Sequence, residues 1–402
     1  MGNEELKDDD AHEAVIESQP KATTSAHVVT AESVQAEEVP TIPLGSLQTV
    51  SALQPEISVR PVQTTQSITV PAPLVVQPVE NHRTLGEWRQ IWWEGIRPSY
   101  FILALMPVLL GSILAWTQSI SLQAPFGHFH PLRFIAVIIV VCLLQTGANL
   151  INDYYDYLNG VDTANVFGPG GLIQQRLVRP TSLLKIGLIV LGVGTVLGLL
   201  VAIAGGPLVY LFGLIGVLCA YFYSATARSL SSLALGELVG FLVFGPLTTA
   251  GAYIMQTGHL AASIFVFSLM PGFMAAAVIH VNNMRDAEGD AHVGKRTIAA
   301  ILGLSWSRAW FLVLLLASYV IVLALGIPSH TPHLLLITFW TLPTLIVAIS
   351  GVLRTDTPAG LDLVMRQTLR LEVYFVLLLI AALFVTAVLP VLPHLPEHLL
   401  PI

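Results

Sequence analysis

Two short segments hold six of the thirteen acidic residues that lie beyond position 82. The first reads Asn149-Leu-Ile-Asn152-Asp153-Tyr154-Tyr155-Asp156 and runs on to Gly160 and Asp162. Positions 149, 152, 153 and 156 are spaced i, i+3, i+4, i+7, so on a helix they share one face. The second reads Asn282-Asn283-Met284-Arg285-Asp286-Ala287-Glu288-Gly289-Asp290, and positions 282, 283, 286 and 290 fall within one narrow stripe. Asp162 and Glu288 lie off these stripes. Carboxylates crowded in this way repel one another and tend to take up protons. A divalent cation removes the conflict. Oxygen donors without Cys or His suit Mg²⁺, which is commonly held by one or two carboxylates together with substrate phosphates. The bases Arg176, Arg179, Arg285, Lys295 and Arg296 stand nearby in the chain. Acids, a hard cation and bases together suit a diphosphate. One such cluster alone is as readily a solvated helix end; two with the same pattern, each following an apolar run, argue for a functional site.

The elements that must position these residues are membrane helices. Only 11% of the 402 residues are charged and 54% are hydrophobic, against about 25% charged in soluble domains. Mean hydropathy is +0.74. Apolar stretches fall at about 99–117, 134–151, 183–204, 206–223, 233–256, 260–281, 307–326, 333–353 and 371–391. Each approaches the ~20 residues that cross ~30 Å of hydrocarbon. The expected fold is therefore all-α, a polytopic membrane helix bundle of about nine transmembrane helices. Trp88, Trp92 and Trp93 with Arg89 and Arg97 predict an interfacial lead-in. The first carboxylate cluster then continues the second span, and the other continues the sixth.

Charge divides the chain. Residues 1–82 carry twelve acids and three bases. With Pro, Ser, Thr and Gln in abundance and no apolar run, this predicts a disordered acidic tail over 1–83 and no secretory signal peptide, followed by a membrane domain over 84–402. Beyond residue 82, fourteen bases fall before the first span or in even-numbered connections, and only Arg133 falls in an odd one. The positive-inside rule puts the N-terminus in the cytoplasm and the C-terminus outside. Cys142 and Cys219 sit within apolar runs, as packing residues do, and form no metal-ligand pattern. No basic patch suggests a nucleic-acid partner; membrane lipid is the expected surroundings.

Asn152-Asp153-x-x-Asp156 resembles the first aspartate-rich motif of UbiA-type membrane prenyltransferases, and Asp286-x-x-x-Asp290 resembles the second. The longer string from Asn282 to Gly294-Lys295-Arg296-Thr297 is similar to the branch that prenylates 1,4-dihydroxy-2-naphthoate for menaquinone. So are Gly160-x-Asp162, Gly168-Pro169, Gly236-Glu237 and Phe244-Gly245-Pro246-Leu247, while Arg97-Pro98 and Pro107-x-x-x-Gly111 match the family's first span. The resemblance covers about residues 88–390. It implies a multi-pass protein of the cell inner membrane that transfers a polyprenyl chain from polyprenyl diphosphate to an aromatic acceptor. Asp153, Asp156, Asp286 and Asp290 would hold Mg²⁺ and act in catalysis. Tyr223 would stabilise an allylic carbocation through its ring, as Tyr154 and Tyr155 also could. Asn149, Asn152, Asp162, Arg179, Arg228, Asn283, Arg285 and Lys295 would bind substrate. Glu237, within the fifth span, suits proton handling or acceptor binding, and equally a helix-start residue near Arg228. The rival acceptors are 4-hydroxybenzoate, homogentisate, haem and chlorophyllide. A cation-coupled transporter is the alternative from another class, but transporter sites usually lie at midplane breaks in helices, whereas both clusters follow nearly complete spans.

Overall fold

A computed structural model describes residues 84–124, 126–161, 171–226, 228–328 and 332–391. The expected tail and Asp162 lie outside them. The described chain is helical; its sole strand-like pairing is one bridge between Leu233 and Arg296.

Helix α1 (Leu85–Ile96) begins with a reciprocal cap: the Thr84 hydroxyl accepts from the Glu87 amide, and the Glu87 carboxylate accepts from the Thr84 amide at 2.7 Å. It ends where Arg97 turns left-handed at φ 55° and its amide donates to the Trp93 carbonyl, just before Pro98, which bars Arg97 from continuing the helix. Exposed Trp88 and Trp93 give it the expected interfacial character. The membrane helices follow: α2 (Phe101–Ser119), α3 (Pro131–Leu158), α4 (Pro180–Ala202) and α5 (Pro207–Phe222). Helices α6 (Gly236–Leu242) and α7 (Thr248–Thr257) form one span through a π-helical turn. Then come α8 (Ala262–His292), α9 (Ile298–Gly326), a 3₁₀ segment (His333–Thr341) leading into α10 (Leu342–Arg354), and α11 (Pro358–Val388). Among the described residues, eight spans have the length and apolarity to cross a bilayer, and α5 is a shorter apolar helix of 16 residues. Together they match the nine apolar stretches of the sequence.

Helix α3 packs along α4, α8 along α9 and α2 along α7, while α11 lies against α2, α8 and α10. The main core is drawn from α2, α7, α8, α9, α10 and α11. The π-helical turn holds Pro246, whose missing N–H breaks the regular ladder; the Thr248 hydroxyl donates to the Val243 carbonyl there at 2.6 Å. Gly245 lets this turn press against α8. A Cβ on it would come within 2.7 Å of the Gly272 Cα and 2.8 Å of the Ser268 carbonyl. Small residues at such crossings let membrane helices approach closely.

Helices α3 and α8 have 28 and 31 residues. At 1.5 Å per residue they exceed ~30 Å of hydrocarbon by about two and about three turns. Their last turns carry the two carboxylate motifs.

Candidate active site

The C-terminal turns of α3 and α8 come together. Asp153 is buried in an ion pair with Arg97, which the left-handed turn after α1 delivers. Asn152 donates from its amide to Asp156 at 2.9 Å and to the Ser224 hydroxyl at 2.8 Å. Asn149 reaches the Ile96 carbonyl. On α8, the Arg285 guanidinium grips Asp286 in a two-pronged pair at 2.7 and 2.8 Å, and donates to Asn282 at 2.9 Å and to Asp362 of α11 at 3.2 Å. Such forked pairs fix both position and orientation. Past α8 the chain doubles back through Gly294 at φ 76°, which glycine adopts without Cβ strain. The Lys295 amide then donates to the Asp290 carbonyl at 2.8 Å, and its ammonium lies 3.4 Å from the Asp290 carboxylate. Burial alone would depress the Lys295 pKa, but Asp156, Asp290 and Asp286 outweigh it and hold the ammonium charged above its ordinary value. One ammonium thus feels carboxylates of both motifs. Tyr223 does too: burial pushes its phenol up, and Glu237, Asp156 and Asp290 push it further.

This polar cluster caps a cavity of about 480 Å³. Arg97, Asn149, Asn152, Tyr223 and Asn282 line its polar end. Its body is apolar, walled by Val137, Leu144, Phe212, Phe244, Leu247 and Met255 from helices α3 to α7. On α3 the lining runs from Val137 to Asn152, about 22 Å of helix. A long hydrocarbon with an anionic head suits that shape.

A sequence model described as the UbiA prenyltransferase family matches residues 104–372, well over half the chain. The chain belongs to the UbiA prenyltransferase family. The 1,4-dihydroxy-2-naphthoate octaprenyltransferase of Bacillus subtilis is 26% identical over 297 residues, covering 74% of this chain and 93% of that protein. The enzyme of the same name from Escherichia coli is 31% identical over 242 residues, covering 58% and 74%. A UbiA homologue from Archaeoglobus fulgidus, solved bound to DMAPP and Mg²⁺, superposes with TM-score 0.52 at 14% identity, over 73% of this chain and 98% of that one. The protein is thus a membrane prenyltransferase with the UbiA fold.

In this UbiA enzyme the sequence-selected residues fall into three groups. Asp153, Asp156, Asp286, Asp290, Asn149, Asn152, Arg285, Lys295 and Tyr223 gather at the cavity's polar end or just behind it. Asn283 is turned to Glu237, donating to it at 3.0 Å, while its neighbour Asn282 faces the cavity; adjacent helical positions point about 100° apart. Arg179 and Arg228 are exposed and do not line the cavity. Arg179 begins α4 and Arg228 sits in the turn before α6. Asp162 is outside the described residues. Glu288 is exposed, away from the stripe. Tyr154 and Tyr155 pack edge to face on each other at 5.2 Å and do not line the cavity, so Tyr100, Tyr210 and Tyr223 are its tyrosines. Three partnerships escaped the sequence: Arg97 on Asp153, Asp362 on Arg285, and Glu237 with His280. Glu237 and His280 carried a signal, since ionisable side chains inside spans are functional by default. Glu237 is bound to His280 and Asn283, not to Arg228.

Among the described residues, no three or more His, Cys, Asp or Glu side chains form a ready-made metal cluster. The donor chemistry nonetheless fits Mg²⁺: four carboxylates and the amide oxygens of Asn152 and Asn282 are all hard oxygen donors. Mg²⁺ commonly keeps few protein ligands and takes the rest from phosphate and water.

Proposed function

We propose that this prenyltransferase uses polyprenyl diphosphate and Mg²⁺ to prenylate 1,4-dihydroxy-2-naphthoate, with loss of the carboxylate as CO₂, giving a demethylmenaquinol. The observation that carries this reading is the meeting of both aspartate motifs with Arg97, Arg285 and Lys295 at the polar end of an apolar cavity. The acceptor is inferred from the naphthoate octaprenyltransferases of B. subtilis and E. coli, the metal from the Mg²⁺ in the A. fulgidus homologue. Fourteen bases at one set of helix ends support a cytoplasmic N-terminus and site, an external C-terminus, and residence in the cell inner membrane.

Asp153, Asp156, Asp286 and Asp290 would hold the metal. When bound, Mg²⁺ supplies positive charge that offsets the charge growing on the departing diphosphate. Arg97, Arg285 and Lys295, now on carboxylates, are placed to donate to diphosphate oxygens as well. The allylic C–O bond breaks and its electron pair leaves with the diphosphate. The apolar walls keep water from the carbocation, and the Tyr223 ring offers it a π face. The acceptor's electron-rich ring then closes the C–C bond.

The test is a product assay on the purified chain with one polyprenyl diphosphate and a panel of aromatic acceptors. The naphthoate should be prenylated with release of CO₂, EDTA should end turnover and added Mg²⁺ restore it. Prenylation of 4-hydroxybenzoate or homogentisate with the naphthoate untouched would refute the acceptor. Turnover indifferent to chelation would refute the metal.

A further inference from the structure

Each aspartate motif places an asparagine four residues before an aspartate, and the two asparagines are used differently. On α8 the Asn282 amide donates to Asp286 at 3.4 Å, and its oxygen accepts from Arg285 at 2.9 Å. Both ends of that side chain are engaged within the motif. On α3 the Asn152 amide donates twice, to Asp156 at 2.9 Å and to the Ser224 hydroxyl at 2.8 Å. An ionised carboxylate only accepts, so the Asn152 atom beside Asp156 is the nitrogen. Its two hydrogens are then both placed, and the oxygen must point the other way. Asn152 lines the cavity, its oxygen accepts from no described residue, and that oxygen is not among the sealed polar atoms. Asn152 therefore shows a ligand an acceptor and no N–H. That face suits a cation and not a phosphate oxygen.

Helix α3 alone does not settle this orientation. The terminal torsion of an asparagine is broad, so with Asp156 as sole partner the amide could turn and aim its second hydrogen at the cavity. The second acceptor has to come from outside α3, and Ser224 supplies it. Ser224 is only 4% exposed and sits just past the end of α5. The chain beyond it doubles back on that helix end: the Leu230 amide donates to the Phe222 carbonyl and the Ser231 amide to the Tyr223 carbonyl, each at 3.1 Å. The Ser229 hydroxyl lies 3.0 Å from that of Ser231 and 2.7 Å from that of Ser232. The Ser232 carbonyl in turn accepts from the Arg296 amide at 3.2 Å, next to the Lys295 that pairs with Asp290. This serine turn is thus pinned to both motifs, through Asn152 at one end and through the segment after α8 at the other. Its one described base, Arg228, is exposed, so what the turn brings to the site is position and not charge.

We propose that Ser224 is a positioning residue for prenyl transfer: it holds the Asn152 amide so that an oxygen, and not an N–H, meets the cation at the first motif. This rests on the Mg²⁺ reading above. Groups behind a metal ligand fix its orientation, and losing one typically costs about 10–100-fold in metal affinity or activity. Ser224→Ala removes the hydroxyl alone. The amide hydrogen it leaves behind lacks an acceptor, and the side chain is free to turn that hydrogen toward the cavity, where it opposes a cation.

The test uses the full chain in lipid nanodiscs with a non-hydrolysable prenyl diphosphate analogue and Mn²⁺, whose unbound form is read by electron paramagnetic resonance. The Mn²⁺ affinity of Ser224→Ala should fall about tenfold or more. In turnover, the Mg²⁺ concentration for half-maximal rate should rise by a similar factor while kcat at saturating Mg²⁺ stays within a few fold of wild type. A damaged fold would not be cured by Mg²⁺. In an Asn152→Ala background, Ser224→Ala should cost little further Mn²⁺ affinity, because the side chain it orients is gone. A loss that persists undiminished in that background would overturn the proposal, since Ser224 would then act through the turn and not through Asn152. So would a kcat loss that saturating Mg²⁺ leaves in place. Equal Mn²⁺ uptake by wild type and Ser224→Ala would overturn the role of Ser224 alone and leave the metal reading standing. A wild-type chain that takes up no Mn²⁺ would refute the metal reading and this inference with it.

Discussion

Asp156→Asn separates chemistry from folding better than the other motif substitutions do. Among the described residues its only short partner is the Asn152 amide at 2.9 Å, and an asparagine oxygen can still accept that hydrogen bond. The fold should therefore lose no more than the ~1 kcal/mol of one hydrogen bond. Asp153 and Asp290 differ, because each is a buried partner of a base: Arg97 and Lys295, whose side chains are only 13% and 15% exposed. Removing one member of a buried pair typically costs about 3–5 kcal/mol, so their loss confounds stability with activity. If Asp156 acts on the diphosphate through the metal, it acts where leaving-group charge grows, and its removal should lower kcat rather than raise KM. One well-placed electrostatic contact is worth about 10²–10³ in rate, or about 2.7–4 kcal/mol of barrier. Single-turnover transfer from labelled prenyl diphosphate in proteoliposomes, at saturating Mg²⁺, measures the loss; tryptophan fluorescence melting measures stability. A folded Asp156→Asn enzyme with kcat within a few fold of wild type would refute the assignment of the first motif. Combined with Asp290→Asn the loss should be far from additive, since both residues act on one ligand.

Asp362→Asn removes the charge that holds Arg285 from α11 at 3.2 Å while sparing the Arg285–Asp286 pair. Prenyl diphosphate turnover should fall about tenfold, equal to about 1.4 kcal/mol, and Asp362→Glu should recover part of it; full activity in Asp362→Ala would show that the tether is idle. For topology, reporter fusions after Glu288 and after Asp356 should be cytoplasmic and one at the C-terminus external. An external reporter after Glu288 would contradict the nine-span path and its orientation.

The membrane bundle was legible because hydropathy reads directly as burial in lipid: all nine apolar stretches are helices. Helical period was enough to align Asn149, Asn152, Asp153 and Asp156, and likewise Asn282 with Asp286 and Asp290. It failed where the decisive contact joined distant segments. Arg97 reaches Asp153 across 56 positions because one residue turns left-handed, and Arg285 meets Asp362 across 77. Neither distance leaves a local pattern. Period also says nothing about which neighbour a face meets: Tyr154 and Tyr155, beside the motif in sequence, face away from the cavity, whereas Tyr223 enters it from the end of α5. Asn283 shows the same limit, since one helical step turned it from the cavity to Glu237.

The two sides of the cavity differ in stiffness. At Gly245 the π-helical turn lies backbone to backbone on α8, so Phe244 and Leu247 belong to a wall that cannot retreat. Opposite them, no residue of α5 is fully buried, and Leu199 of α4 and Leu214 of α5 are both cavity lining and exposed surface. About 480 Å³ is room for a drug-sized ligand, less than a polyprenyl chain of many isoprene units fills. Among the described residues, the lining that is also exposed lies on α4 and α5, so a tail that outgrows the space would leave there, into lipid. With its head at the aspartates and its far end in the bilayer, such a tail would be read only where it begins, and its length would be left to the membrane. Redesign for bulkier acceptors would accordingly succeed on α4 and α5 and fail around Gly245.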